Sequence, residues 1–113
     1  MTAASLDGRR FAAVANVGGE VTADTIFEYH ERAGEVWATY GGGAVVRGFI
    51  VGTRAGDTLD IRYVQLNNEG ETSGGHCVTA IHELPDGRLR LDEKWEWESR
   101  PGSGTSVVEE LAP

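Results

Sequence analysis

The sequence predicts an all-β fold, an eight-stranded antiparallel β-barrel with up-and-down topology. Three observations lead there. Turn-forming residues punctuate the 113-residue chain at Gly18-Gly19, Ala33-Gly34, Gly41-Gly42-Gly43, Ala55-Gly56, Asn67 to Gly70, Pro85-Asp86-Gly87 and Pro101 to Gly104. The segments between these turns are rich in Val, Ile, Thr, Tyr, Phe and Trp, residues that suit a pleated, half-buried surface. The hairpin spacing is regular and leaves no room for crossover helices, so successive strands pair antiparallel, and closing the sheet removes its exposed edges.

The elements follow in order. The first strand ends at Gly18-Gly19. The second lies in Thr22–Ala33, a stretch that also fits a capped helix ending at Gly34. A strand is preferred, because Thr25, Phe27 and Tyr29 alternate and β-formers dominate. The third strand carries Val36, Ala38 and Tyr40 on one face. The fourth and fifth meet at Ala55-Gly56, the fifth and sixth at Asn68-Glu69-Gly70, and the sixth and seventh at Pro85-Asp86-Gly87. The seventh contains "RLRLDEKWEWES", in which Leu89, Leu91, Glu93, Trp95 and Trp97 share one face. The eighth follows Pro101 to Gly104, a connection too loose to fix a register.

Turn lengths set the remaining registers. They pair Ile81 with Leu91, Thr79 with Glu93, Cys77 with Trp95, Gly75 with Trp97, Tyr63 with Gly75 and Ile61 with Cys77. They also set Gly48 opposite Tyr63, Ile50 opposite Ile61, Val36 beside Gly48, Ala38 beside Val46 and Tyr29 beside Ala38. On this reading Val46 faces inward, Val45 faces outward, and glycines 48 and 75 leave room for large rings.

Composition narrows the function. A chain of 113 residues forms one domain, residues 1–113, with a single modest core. Eighteen Asp and Glu against ten Lys and Arg give a net charge of −8, a poor match for nucleic acid or an anionic membrane surface. No apolar run resembles a signal peptide or a bilayer span. The lone Cys77 precludes an internal disulfide and fits a reducing cytoplasm.

The inward face supplies the candidate site. Aromatic walls with sparse polar groups are the make-up of a small-molecule cavity, although tyrosine and tryptophan also serve as packing. Tyr29, Tyr40, Tyr63, Gln65, Cys77, Thr79, Glu93, Trp95 and Trp97 are the expected ligand-binding residues. Glu93 is the sharpest feature, since a carboxylate on an apolar face must find partners or keep its proton. It is expected to have a raised pKa, moderated by Thr79 and a tyrosine hydroxyl. In an enzyme, Glu93 would be the general acid/base with Tyr63 beside it. The bland alternative is a structural carboxylate satisfied by its neighbours. Cys77 lacks an inward histidine to activate it. His30, His76 and His82 point outward without ligand spacing, so no metal is expected. "GGEVTADT" and "YGGGAV" precede no helix that could hold an anion, so no cofactor is expected either.

Three functions follow: an intracellular barrel binding a small apolar or aromatic molecule, a cofactor-independent isomerase or cyclase in the same cavity, or a filled barrel acting as an assembly module. The outer wall bears on the last. Trp37, Val45, Phe49 and Val51 make an apolar patch, with Arg47 placed to cover Trp37, and this predicts a homodimer unless an N-terminal segment folds over it.

Five runs add a resemblance that spans nearly the whole chain: Gly8-Arg-Arg-Phe11, Val36-Trp-Ala-Thr-Tyr40, Leu59-Asp-Ile-Arg-Tyr63, Leu84-Pro-Asp-Gly-Arg-Leu-Arg-Leu91 and Trp95-Glu-Trp97. Together they resemble a family of small bacterial proteins commonly labelled N-acetylglutamate synthase, which implies acetyl transfer from acetyl-CoA to glutamate. Where that family often shows Trp-Gln-Trp, this chain has Glu96. In architecture the chain is similar to the calycin class, which includes lipocalins and streptavidin, and this implies a ligand-holding barrel.

Overall fold

The computed structural model describes residues 4–112; Met1, Ala3 and Pro113, with Thr2, are the part of the expected 1–113 domain outside them. Eight strands run in chain order: β1 (Arg10–Val17), β2 (Ile26–Arg32), β3 (Glu35–Gly42), β4 (Val45–Ala55), β5 (Thr58–Asn67), β6 (Thr72–Glu83), β7 (Leu89–Trp97) and β8 (Ser103–Glu110). Each pairs antiparallel with the next, and β8 closes onto β1. The segment that could have been a helix is strand β2, so its alternation outweighs its cap signals.

The registers of β2–β3, β5–β6 and β6–β7 are those expected: Tyr29 lies opposite Ala38, Tyr63 opposite Gly75, and Glu93 opposite Thr79. Two hairpins differ. In β3–β4, Val36 pairs with Gly52 and Ala38 with Ile50, four residues beyond the expected partners. The turn closes between Gly42 and Val45, with Gly42 and Gly43 at φ 121° and 63°, so β3 extends further into the glycine run. In β4–β5, Ala55 pairs with Thr58, which puts the turn at Gly56-Asp57 and sets Ile50 opposite Tyr63 and Gly48 opposite Gln65. Both shifts are even, so the inward face survives along most of β4.

A bulge between Val45 and Arg47 breaks that parity. Val45, expected on the outer wall, is buried in the core, while Val46, expected inside, is exposed. Arg47 lies opposite Leu66, away from Trp37, and the ring stacked on Trp37 is His30. Gly48 makes room for Tyr40: a β-carbon there would collide with the phenol ring. Gly75 does the same for Tyr63.

The barrel has one closed end. Residues Ala4 to Gly8 fold across it, burying Leu6 completely against the core that includes Val36, Leu59, Leu89 and Leu91. The Leu6 backbone N–H donates to Glu31 Oε1 at 2.9 Å, and Arg54 donates to the same oxygen at 2.8 Å and to the Ala4 carbonyl at 2.8 Å. Residues 4–8 therefore plug the barrel floor, and none of the described residues covers Trp37, Phe49 and Val51 on the outer wall. At the other end the β1–β2, β3–β4, β5–β6 and β7–β8 connections ring an open mouth.

Candidate functional site

The site forms because alternation along β5, β6 and β7 aims their inner residues into the barrel while those strands run from the packed floor to the mouth. On β7 the inner face changes from Leu89 and Leu91 at the floor to Glu93 midway and Trp95 and Trp97 near the rim. Opposite them, Gly75, Cys77 and Thr79 are small, so space remains above the floor. The resulting cavity measures about 50 Å³, within about 460 Å³ of space between atoms that includes its open mouth. Tyr40, Tyr63, Gln65, Cys77, Glu93, Trp95 and Trp97 line it together with Asn16, Gly19, Glu20, Val21, Phe27, Ile50, Ile61 and Ser106.

Glu93 is 8% exposed. Its partner is Ser106 on β8, whose hydroxyl donates to Oε1 at 2.7 Å. Thr79, the partner expected from the sequence, lies against the Cys77 thiol instead, 3.4 Å away. Burial raises the Glu93 pKa to about 7; the Ser106 hydrogen bond works against the rise, and the Asp92 charge adds to it. Burial likewise pushes the Cys77 thiol up to about 12, with Glu93 reinforcing it. The Tyr40 and Tyr63 hydroxyls are held above the ordinary phenol range, first by burial.

The hydroxyls around the cavity are committed to protein acceptors. Tyr40 donates to Gln65 Oε1 at 2.8 Å, and Tyr63 to the Glu96 carbonyl at 3.1 Å. Gln65 and Asn67 then donate to the two carboxylate oxygens of Glu20, each at 2.9 Å, which ties the β1–β2 connection across the mouth. Arg100 stands over the Trp97 ring at 4.4 Å and 3.7 Å from Glu20. The aromatic lining forms two groups: Trp95 and Trp97 centroids lie 5.4 Å apart and Tyr63 and Trp97 5.6 Å, while Phe27 stacks on Tyr40 at 4.8 Å.

Seven of the nine expected residues share this cavity. Tyr29 and Thr79 do not line it; both are fully buried. Asn16, Glu20 and Ser106 were missed. Ser106 belongs to the strand whose register the sequence left open. Glu20 sits in a connection, where periodicity carries no information. Asn16 faces inward only because of a bulge between Ala13 and Ala15. Among the described residues, no group of three or more His, Cys, Asp or Glu side chains could hold a metal ion, and no helix is long and apolar enough to cross a membrane.

A closed antiparallel barrel with a pocket at one end is the architecture of the calycin class, and it fits small-molecule binding in general. The avidin-like protein family model matches residues 4–111, and the chain belongs to that family. No curated protein and no solved structure matches the chain.

Proposed function

We propose that this protein binds a small molecule whose apolar, ring-bearing part rests against Trp95, Trp97, Tyr63 and Phe27 and whose polar end reaches Glu93. One observation carries this reading: a buried carboxyl with a single hydrogen-bond partner faces a cavity that opens at the barrel mouth. A carboxyl placed purely for structure would be expected to fill its remaining acceptor sites from the protein. Titrating a panel of small aromatic compounds while following tryptophan fluorescence tests it. The protein should carry Trp37→Phe, which removes the outer-wall indole and leaves Trp95 and Trp97 to report. A saturable change with at least one compound supports the reading; no change with any of them sinks it.

A proton-transfer role, as in an isomerase or cyclase, uses the same group. It is favoured by a Glu93 pKa near neutrality, where a carboxyl both gives and takes a proton readily. Acetyl transfer to glutamate is not adopted. It would need a place for the pyrophosphate of acetyl-CoA, and among the described residues no helix offers an N-terminus to hold one. The buried, inert Cys77 thiol is in keeping with a cytoplasmic setting.

We further propose self-association through the outer wall of β3–β5. Trp37, Phe49 and Val51 are exposed, and Val64 pairs with Phe49 to extend the patch that Val45 leaves for the core. Avidin-like barrels that pair would bury such a face. Sedimentation should give a dimer or larger species at micromolar concentration and a monomer for Phe49→Glu. A wild-type monomer throughout that range ends the proposal.

A further inference from the structure

The hydrogen-bonding capacity of the residues lining the cavity is lopsided; the unpartnered Tyr29 hydroxyl is buried outside that lining. The hydroxyl protons of Ser106, Tyr40 and Tyr63 are given to Glu93 Oε1, Gln65 Oε1 and the Glu96 carbonyl. What these oxygens still turn toward the cavity is lone pairs. Among the described residues none donates to Glu93 Oε2. Asn16 uses its amide N–H on the Val21 carbonyl, and its buried Oδ1 has no partner. Asn16 and Ser106 lie opposite each other across β1 and β8, and Ser106 lies opposite Glu93 across β8 and β7. The two residues with unfilled acceptors therefore stand on β1 and β7, on either side of Ser106 on β8, and both line the same cavity.

Resting on the binding role above, we infer that the ligand is a nitrogen-bearing hydrogen-bond donor, a planar cation such as an aryl amidine, with its N–H groups on Glu93 and Asn16. Three further features agree. Leaving the buried Asn16 Oδ1 without a donor carries a desolvation cost that a donor ligand would recover. The chain's net charge of −8 favours the approach of cations over that of anions. The rim already holds one planar cation on an indole, the Arg100 guanidinium over Trp97.

The pairing requires ionised Glu93, and this gives the inference its own signature. The titratable groups facing or flanking Glu93 are Cys77 on β6, Tyr63 on β5, Tyr40 on β3, Tyr29 on β2 and Asp92 beside it on β7, itself 2.9 Å from His82 on the outer surface. Burial keeps Cys77 and the tyrosines protonated through neutral pH, so Glu93 is the cavity group that changes charge there. Binding a cation must displace its proton. Affinity should climb with pH up to about 7 and level off above it, and protons should be released on binding below that point.

Benzamidine, cationic across this range, is the probe, titrated into the Trp37→Phe protein with benzoate and benzyl alcohol as anionic and neutral counterparts. Benzamidine should bind saturably at pH 8 and lose about tenfold in affinity per pH unit well below pH 7. Calorimetry in buffers of different ionisation enthalpy should show the released proton. Glu93→Gln should weaken binding at pH 8 about tenfold or more and flatten the pH profile. Ser106→Ala removes the hydrogen bond that opposes the rise in the Glu93 pKa, so it should move the climb in affinity to higher pH; it serves if Glu93→Gln fails to fold, and an unshifted profile overturns the assignment to Glu93. Benzoate binding as well as benzamidine, or a flat wild-type profile, overturns the donor assignment. Benzyl alcohol binding while benzamidine does not would also overturn it, yet leave the pocket standing. Silence from every compound would refute the pocket as well.

Discussion

The two ends of this barrel are built from the same strands and have opposite characters. At the floor, Leu6, Val36, Leu59, Leu89 and Leu91 are all fully buried, and the Glu31 carboxylate is answered by Arg54 and the Leu6 N–H. At the mouth, Tyr63, Trp95 and Trp97 are only half-buried, and Glu93 has one hydrogen bond. One carboxylate is paired and structural; the other is desolvated and left with capacity. The lesson is a division of labour along each strand. Two inward residues of β7, Leu91 and Glu93, are neighbours on one face, yet one contributes cohesion and the other has its ordinary ionisation raised to about 7. Burial alone therefore does not mark a functional residue in this fold. Burial beside unfilled space is the ground on which Glu93 is proposed as the group that meets a ligand.

The largest expected effect tests that division directly. Leu91 lies opposite Ile81 and Val108 in the dense floor, so Leu91→Ala should cost about 2–5 kcal/mol through lost burial and a residual cavity. Trp97→Ala removes a bigger side chain from a half-open rim. It should cost less than half as much, about 1–2 kcal/mol, because water already reaches part of the ring. Urea unfolding midpoints of the two variants decide the matter. Equal losses would mean that the mouth is as tightly packed as the floor, and the distinction between the ends would fall.

How much of this was legible in the sequence depends on the kind of turn that joined each pair of strands. Pro85-Asp86-Gly87 and Asn68-Glu69-Gly70 each permit essentially one tight connection, so the β5–β6–β7 register, and with it the Glu93–Thr79 and Cys77–Trp95 pairs, could be counted on paper. Gly41-Gly42-Gly43 permits several, because three successive residues accept positive φ, and the β3–β4 register was misplaced there. Bulges are harder still. Val45 and Asn16 both change face after one extra residue in an otherwise regular strand, and nothing in an alternating pattern announces the insertion. The polar partners of the site came from these illegible places: Ser106 from beyond a loose loop, Asn16 from behind a bulge, Glu20 from a connection. The aromatic wall and Glu93 itself came from the regular strands. The sequence thus showed which group was out of place and not what satisfied it.

A smaller effect, of opposite sign, sharpens the contrast between the two carboxylates. Replacing Glu93 with Gln preserves shape and a hydrogen-bond acceptor for Ser106 while removing the titration. A folded-state pKa of about 7 lies above the unfolded value, so the native barrel holds the proton more tightly than the unfolded chain does. Ionised Glu93 is therefore a stability penalty, not a contribution. That penalty is absent at low pH, grows as pH rises above about 4.5, and is complete once pH has passed about 7. Two and a half pH units correspond to about 3 kcal/mol at most, and relaxation around the mouth reduces what is measured. Glu93→Gln should accordingly match the wild type at pH 4 and exceed it by about 1–2 kcal/mol at pH 8. Urea melts at those two pH values give the comparison. If Glu93→Gln were strongly destabilising at pH 8, Glu93 would be an ionised structural partner like Glu31, and the mouth would be held together by the same means as the floor.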